Sequence, residues 1–325
     1  MSAEAGLRAC VDIGGTKLAV SLARRGADGR PALLATQREA TVREGPPEAL
    51  AAQVLRLIDA ACAQAGVQRA ALAGVGVASA GPFGADAQGA LGLVTPNLCG
   101  GLSGGQTGLP NDWRFLPLQA PLRAALPQTV ALRVENDAIA ALEAERRWGA
   151  LQGLSHCAYV TWSTGVGTGL CVDGHVLRGK HGNAGHAGHQ VVNDDERTVC
   201  GCGNRGDVEA QVAGGAMARR FGRDAAALFA AAQAGEAEAR SQVEGLCTVM
   251  GRMLYNLVVT LDLQGIALGG GVFWPHRDWL LPRLQAEIDA RFPALTAGVR
   301  LCAAGLGEQV GSFAAAALVW DDGGT

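Results

Sequence analysis

Asp12-Ile13-Gly14-Gly15-Thr16-Lys17 lies between the apolar run Ala9–Val11 and the alternating segment Leu18–Leu22, and this pattern predicts strand, tight turn, strand. Two adjacent glycines let backbone N–H groups approach an anion that a Cβ atom would keep away. Asp12 is placed to hold a metal–phosphate complex. The stretch fits neither the GxxxxGK(S/T) loop nor a strand–turn–helix GxGxxG motif. A plain β-hairpin with a glycine bulge is the alternative, but the combined residue types favour a phosphate-binding turn.

Length and composition restrict the class of protein. The 325 residues suffice for two ordinary domains, and 49% hydrophobic against 18% charged residues indicates a well-buried globular chain. A net charge of −3 without a basic block argues against nucleic acid as a partner. No apolar signal region or membrane-length run occurs, so we expect no membrane association. Nine cysteines, mostly isolated in apolar segments, indicate a reduced, cytoplasmic protein.

Two further glycine turns follow buried strands. The strand Cys157–Trp162, the turn Ser163–Gly169 and the returning strand Leu170–Val172 repeat the pattern of the opening turn about half a chain later. Gly269–Gly271 follows the apolar run Gly265–Leu268. The repeat suggests a duplicated fold with a nucleotide held between two α/β lobes.

The rest of the chain alternates between helical and loop patterns. Apolar spacing predicts helices over residues 47–66, 137–147, 207–221, 223–234 and 237–262. An apolar C-terminal helix over about 310–322 is long enough to pack back onto the first lobe. The Gly/Ser-rich stretch 98–112 predicts a mobile loop over a site.

Glu135-Asn136-Asp137 closes a predicted strand and opens a predicted helix. An N-cap is one interpretation of Asp137. A carboxylate at the carboxyl end of such a strand also lies where an α/β crevice forms. There it would accept a proton from a sugar hydroxyl, as kinase aspartates do, and Asn136 would contact neighbouring hydroxyls. The sequence leaves both interpretations open.

A cluster of metal-binding residue types lies between residues 186 and 209. His189, Cys200 and Cys202 have spacing typical of a structural zinc site, with Asp207 as the fourth ligand. Two free cysteines in a loop are the alternative. Glu209 lies at a helix start, where the dipole favours a carboxylate, or it holds sugar hydroxyls.

Together these residues resemble the ROK family (repressor, open reading frame, kinase), bacterial sugar kinases of the actin/hexokinase-like superfamily. The resemblance spans almost the whole chain and rests on Asp12–Lys17, Ala80–Pro82, Asn136–Asp137, Ser163–Gly169, Ala184–His189, Cys200–Glu209 and Gly269–Gly271. It implies an α/β, two-lobed, ribonuclease H-like ATPase fold with duplicated βββαβα-type domains and a central cleft. The implied lobes are 1–136 and 137–309, with the helix over about 310–322 returning to the first.

The resemblance also implies ATP-dependent phosphorylation of the C6 hydroxyl of a hexose or N-acetylhexosamine, with Asp137 as the general base. In the family pattern, ATP and Mg²⁺ contacts match Asp12, Gly14, Gly15, Thr16, Lys17, Thr164, Gly165, Gly167, Gly269 and Gly270. Sugar contacts match Gly81, Asn97, Asn136, Asp137, His186, His189 and Glu209. His189 matches a zinc ligand as well. Family members are commonly homodimers or homotetramers.

Two departures from the family pattern bear on function. Asp207 stands where the family usually has a third cysteine, so the zinc site is either retained as His-Cys-Cys-Asp or lost. His186 stands where glucokinase-like members have glutamate, and this variant resembles bacterial N-acetylmannosamine kinases. N-acetylmannosamine is therefore the first expected substrate, followed by glucose or N-acetylglucosamine.

Three other functions compete with an ATP-dependent kinase. A regulator of this family would carry a DNA-binding helix-turn-helix before the first strand, which is predicted to start at about Arg8, so we do not expect a regulator. A non-catalytic sugar-sensing protein would not need Asp12, Asp137 and intact glycine turns together. A kinase that uses polyphosphate stays open, since Gly269–Gly271 suits a nucleoside without excluding polyphosphate.

Overall fold

The computed structural model describes residues 6–102, 108–194 and 197–320. The chain divides into two compact units. The first comprises the chain up to Ala144, the segment Arg178–Asn183 and the chain from Gln309 onward. The second comprises Glu145–Leu177 and Ala184–Glu308. None of the described helices combines the length and apolar character that a membrane span requires.

A five-stranded mixed sheet forms the centre of the first unit, in the order β3-β2-β1-β4-β8. Its strands are β1 (Arg8–Ile13), β2 (Lys17–Arg25), β3 (Pro31–Ala40), β4 (Gly74–Ser79) and β8 (Ala131–Asn136). β1 pairs antiparallel with β2 and parallel with β4, and β4 pairs parallel with β8. Strand β4 is completely buried, as expected for a strand covered on both faces.

The first unit also contains helices and a small sheet. The helices are α1 (Ala49–Gln64), α2 (Gln119–Ala125), α3 (starting at Asp137 and ending at Trp148) and α10 (Val310–Ala317). α10 packs so closely on β4 that a Cβ atom at Gly76 would lie 1.9 Å from the Ala315 carbonyl oxygen. The small sheet contains β5 (Phe83–Ala85), β6 (Leu91–Leu93) and β7 (Leu116–Pro117). Most of α3 belongs to the first unit, so the compact units divide after Ala144 rather than at residue 136.

The second unit repeats the strand order of the first. Its sheet runs β11-β10-β9-β12-β13, so both sheets read third, second, first, fourth, fifth strand. The strands are β9 (Cys157–Trp162), β10 (Val166–Val172), β11 (His175–Val176), β12 (Gly265–Gly269) and β13 (Arg300–Ala303). Each unit has its own apolar core. This shared topology confirms the predicted duplication.

Within the described residues, six α-helices accompany the second sheet: α4 (Val208–Val212), α5 (Gly214–Phe221), α6 (Ala225–Gln233), α7 (Ala237–Leu261), α8 (Arg277–Asp289) and α9 (Pro293–Thr296). The prediction of one helix over 207–221 was wrong. Ala213 adopts an extended conformation, with φ −62° and ψ 151°, and the chain then restarts as α5. The Gly214 N–H donates to the Ser163 carbonyl, 2.9 Å away, instead of continuing α4.

The two described parts of the loop over 98–112 are residues 98–102 and 108–112, which are hydrogen-bonded to each other. Residues 103–107 lie outside the described ranges. The side chain of Asn111 makes these contacts. Its Oδ1 atom accepts from the Gly100 N–H at 2.9 Å, and its Nδ2 atom donates to the Leu98 and Arg43 carbonyls at 3.0 and 2.9 Å. Asn111 therefore fixes the two ends of this loop to each other and to Arg43 within the first unit.

Candidate active site

The glycine turn between β1 and β2 is held from outside by two side chains. Inside the turn, the Gly14 N–H donates to the Lys17 carbonyl at 2.9 Å. Thr41 Oγ1 donates to the Gly14 carbonyl at 2.7 Å, and Arg43 donates to the Gly15 carbonyl at 2.9 Å. Among the described residues, the N–H groups of Gly15 and Thr16 have no acceptor. The turn therefore offers two backbone donors, as an anion site requires.

Asp12 and Asp137 lie in the first unit near enough for their charges to interact. Asp12 is on β1 opposite Ala78 of β4, while Asp137 directly follows β8, which pairs with β4 on its other side. Burial, together with the negative charge of Asp137, raises the pKa of Asp12 to about 6, although Lys17 opposes this shift. Gly311 of α10 leaves room for the Asp12 carboxylate, since a Cβ atom there would lie 2.6 Å from its Oδ2.

The raised pKa of Asp12 makes stability depend on pH. The ionised carboxylate is disfavoured in the folded state, so it destabilises the protein progressively between about pH 4 and 6 and fully above pH 6. We expect Asp12→Asn to raise the free energy of unfolding by about 1–3 kcal/mol at pH 8 and to leave it unchanged at pH 4. Urea unfolding at the two pH values measures this. Asp28→Asn, in an exposed turn, is the control, and an Asp12→Asn effect independent of pH would contradict the assignment.

The alternative interpretation of Asp137, as a helix cap, is not what the structure shows. Asn136 takes the capping role, because its Oδ1 atom accepts from the N–H groups of Ala138 and Ile139 at 3.0 and 3.3 Å. Asp137 is the first residue of α3, and its Oδ1 atom accepts from the Ala138 N–H at 2.8 Å. The Nδ2 amide of Asn136 has no acceptor within the described residues, which suits contact with a hydroxyl.

Two other predicted sugar contacts lie in the first unit. Asn97 is exposed and adjoins the glycine turn, since its Cβ atom lies 3.3 Å from the position of a Cβ atom on Gly15. Gly81 is joined to Pro82 by a cis peptide bond immediately before β5. Asn97 is thus next to the predicted phosphate turn.

In the second unit, the second and third glycine turns lie side by side. Ser163 N–H donates to the Gly165 carbonyl at 2.9 Å, and Thr164 between them is exposed. Gly270 adopts φ +97°, and a Cβ atom there would lie 2.4 Å from the Trp162 carbonyl oxygen. Gly269 is similarly close to the Tyr159 hydroxyl. Gly167 follows within β10. The predicted nucleotide contacts of this unit therefore come together.

Glu209 connects the second turn to the cluster of histidines and cysteines. Its Oε2 atom accepts from the Val166 N–H at 2.9 Å, and its Oε1 atom is 3.6 Å from Cys200 Sγ. A Cβ atom at Gly165 would lie 2.7 Å from Oε2, so glycine at this position lets the carboxylate pack against the turn without shifting. Glu209 therefore helps to shape the second turn, besides any contact with sugar.

His186 and His189 are neighbours, with nearly parallel rings whose centroids are 6.1 Å apart. The segment that carries them is pressed against β10. A Cβ atom at Gly185 or Gly188 would lie 2.2 or 2.3 Å from a β10 carbonyl oxygen. The Thr168 hydroxyl also donates to the Gly185 carbonyl. This packing fixes the position of both imidazoles in the second unit.

The predicted metal ligands form a compact cluster in which one ligand atom from each of His189, Cys200, Cys202 and Asp207 lies within 4.8 Å of the others. Nδ1 of His189 is 3.2 Å from Asp207 Oδ2 and 3.7 and 3.6 Å from the sulfur atoms of Cys200 and Cys202. Tetrahedral ligands at about 2.0–2.3 Å from Zn²⁺ are separated by roughly 3.3–3.8 Å. The donor set and its spacing therefore fit a zinc ion.

The two oxygen atoms of Asp207 have separate partners. Oδ1 caps α4 by accepting from the Ala210 N–H at 2.7 Å, whereas Oδ2 points to His189 and Cys202. Burial opposes ionisation of Asp207, but hydrogen bonds from His189 and Ala210 outweigh it, and the pKa of Asp207 is lowered. The hydrogen bond to Asp207 correspondingly raises the pKa of His189. An anionic oxygen thus replaces the third thiolate of the family pattern.

Several supporting residues were not predicted from the sequence. Thr41 and Arg43 hold the first turn, and Arg178 pairs with Glu135 beside the Asn136–Asp137 pair. In a sequence, polar or charged residues that lie far along the chain from the groups they contact look like ordinary solvated loop residues. The only available signal was Glu135, a carboxylate inside a strand otherwise expected to be buried.

Known proteins resemble this chain along most of its length. The family model described as the ROK family matches residues 8–322. The N-acetylmannosamine kinase of Shigella boydii is 34% identical over 274 residues, covering 81% of this chain and 82% of that protein. The chain therefore belongs to the ROK family and is one of its sugar kinases.

Two solved structures share the fold along nearly the whole chain. The ROK hexokinase from Thermus thermophilus is 30% identical with a TM-score of 0.69, covering 96% of this chain and 97% of that one. A ROK family glucokinase from Streptomyces griseus, solved with glucose and AMPPNP, is 28% identical with a TM-score of 0.68, covering 96% and 98%. The fold is thus the predicted actin/hexokinase-like fold.

Proposed function

We propose that this protein is an ATP-dependent kinase that phosphorylates the C6 hydroxyl of N-acetylmannosamine. The observation that carries the proposal is the arrangement of Asp137 in the first unit. It opens α3 at the carboxyl end of the edge strand β8, its neighbour Asn136 provides the cap, and its charge acts on Asp12. Such a carboxylate is suited to accept the proton of an attacking hydroxyl.

In this proposal the first unit holds the transferred phosphate. The N–H groups of Gly15 and Thr16, which have no acceptor among the described residues, and the exposed Lys17 would donate to phosphate oxygens. Asp12 would hold Mg²⁺, which neutralises charge developing on the phosphates. Removal of the proton from the sugar and positioning of its hydroxyl fall to Asp137 and Asn136.

The second unit would contact the rest of ATP and the sugar. The adjacent turns that contain Thr164, Gly165 and Gly270 would receive the nucleotide, supported by the Glu209 carboxylate. His186 and His189 would face sugar hydroxyls. The similarity to the N-acetylmannosamine kinase of Shigella boydii supports this choice of sugar. The imidazole of His186 supports it as well, because it can donate a hydrogen bond where an ionised carboxylate only accepts.

The His189, Cys200, Cys202 and Asp207 cluster would hold a structural Zn²⁺, which ties the sugar-contacting His189 to the start of α4. We further propose that the protein is a cytoplasmic homodimer or homotetramer, a state that light scattering measures. Glucose and N-acetylglucosamine are the alternative sugars, and polyphosphate is the alternative donor.

A sugar panel tests the substrate. With MgATP, we expect kcat/KM for N-acetylmannosamine to exceed that for N-acetylglucosamine, glucose and mannose by about 10-fold or more, because a site built for particular hydroxyls rejects analogues that leave polar groups unpaired. His186→Glu should lower this preference, whereas His175→Glu, in an exposed hairpin, should not. A clear preference for glucose would contradict the proposed substrate. Phosphorylation as fast with polyphosphate as with ATP would contradict ATP as the specific phosphoryl donor.

A further inference from the structure

Arg178 binds the strand and the helix that meet at the proposed base, although it is distant from both in sequence. Its Nε atom donates to Glu135 Oε2 at 2.6 Å, and its Nη2 atom donates to Glu143 Oε1. Glu135 is the penultimate residue of β8, and Glu143 lies in α3 after Asp137. One guanidinium group thus connects the strand that ends before Asp137 with the helix that begins there.

Glu135 is an unusual residue for this position because its side chain is only 8% exposed. Its Oε1 atom accepts from the Asn136 N–H at 3.3 Å, so the same carboxylate contacts Arg178 and the backbone next to the base. Burial raises the pKa of Glu135, and Arg178 opposes this shift. Without Arg178, the carboxylates of Glu135 and Glu143 would both lose this cation, which is costly for the buried Glu135.

The segment that carries Arg178 is fixed at its other end as well. Asn183 accepts from the Phe83 N–H and donates to the Phe83 carbonyl, both at 2.8 Å. Arg178–Asn183 belongs to the first unit, whereas the residues that flank it in sequence belong to the second. Arg178 is therefore held against β8 and α3 by a segment anchored at both ends.

We propose that Arg178 is a positioning residue for the phosphoryl transfer, which acts on Asp137 by fixing the junction of β8 and α3 through Glu135 and Glu143. The proposal rests on the proposed role of Asp137 as the base. A guanidinium can bind two carboxylates at once in a fixed geometry, whereas a lysine ammonium is a single point charge. A shift of a catalytic group by about 1 Å can cost roughly 100-fold in rate.

A double-mutant cycle between Arg178 and Asp137 tests the proposal. We expect Arg178→Met to lower kcat by about 10- to 100-fold with KM for ATP nearly unchanged, since position rather than nucleotide binding is altered. In the Asp137→Asn background, the same substitution should have no further effect on the residual rate, measured with enzyme in excess. Arg178→Lys should give an intermediate loss of kcat, and it replaces Arg178→Met in the cycle if the latter fails to fold.

The control is Arg56→Met in the same unit. Arg56 donates two hydrogen bonds to Glu39, at 2.8 and 2.6 Å, but on the exposed surface, so kcat should not change. Unchanged kcat in Arg178→Met, or an equal loss in both backgrounds, would overturn the proposal while leaving the proposed function intact. Normal turnover of Asp137→Asn alone would instead reject the proposed base and, with it, the role of Arg178.

Discussion

Asp137→Asn is expected to lower kcat by about 10²- to 10⁴-fold while sugar binding changes little. Asparagine retains the size of the side chain and an oxygen that can accept from the Ala138 N–H, so α3 should form normally. What it cannot do is take the proton of the attacking hydroxyl. The loss should therefore appear in the chemical step rather than in the fold or the sugar affinity.

Steady-state kinetics with MgATP, together with calorimetric titration of the sugar, separate these effects. Asp86→Asn is a matched control, because Asp86 also accepts backbone N–H groups, from Gln88 and Ala90, in a turn of the same unit. It should retain the wild-type kcat. If kcat of Asp137→Asn stays within about 3-fold of the wild type, Asp137 is not the general base.

The glycine turns were predictable because their function and their backbone geometry require the same residues. Gly270 must adopt φ +97° beside the Trp162 backbone, and Gly165 must leave room for Glu209. Apolar runs before each turn also revealed the strands. The repeated spacing of strand, turn and strand then predicted a duplicated fold, which the equal strand order of the two sheets confirms.

The break between α4 and α5 illustrates a limit of periodicity. Residues 207–221 have helical spacing, but Ala213 is extended because Gly214 binds the Ser163 carbonyl in a turn about fifty residues earlier. The local spacing of apolar residues does not indicate a hydrogen-bond acceptor that lies so far away in the sequence. Tertiary hydrogen bonding therefore overrode local preference.

The supporting network around Asp137 was hidden for a related reason. The sequence placed Glu135, Asn136 and Asp137 together, but it could not distinguish which of Asn136 and Asp137 caps the helix. Nor could it pair Glu135 with Arg178, 43 residues further along the chain. Individual residue types suggested the proposed reacting groups, whereas the groups that position them depend on the three-dimensional packing.

Asp207→Ala is expected to remove zinc and to lower the free energy of unfolding by more than a helix cap is worth. The variant removes both functions of the carboxylate, the Oδ1 cap of α4 and the Oδ2 ligand beside His189. A lost cap costs about 1 kcal/mol. A structural zinc site contributes considerably more, since apparent binding free energies reach about 10–16 kcal/mol in zinc-finger peptides.

Variants at Asp207 and Asp224 distinguish the contribution of Asp207 as a helix cap from its contribution as a metal ligand. Asp224 caps α6 by the same kind of hydrogen bond, to the Ala227 N–H at 2.8 Å, so Asp224→Ala measures the cap alone. Asp207→Asn preserves the cap acceptor but removes the anionic ligand, and it should therefore lose zinc almost as fully as Asp207→Ala. Asp207→Cys restores the residue usual in the family and should retain about one zinc per chain.

Elemental analysis and urea unfolding with and without a chelator measure both properties. We expect about one zinc per wild-type chain and a chelator-sensitive unfolding free energy, because metal bound only to the folded state stabilises it by mass action. Wild-type protein that contains no zinc, with Asp207→Ala no less stable than Asp224→Ala, would show that the aspartate has converted the site into a metal-free cluster. His189 would then depend for its orientation on its contacts with Asp207, Cys200 and Cys202, and the sugar preference would have to be explained without a metal.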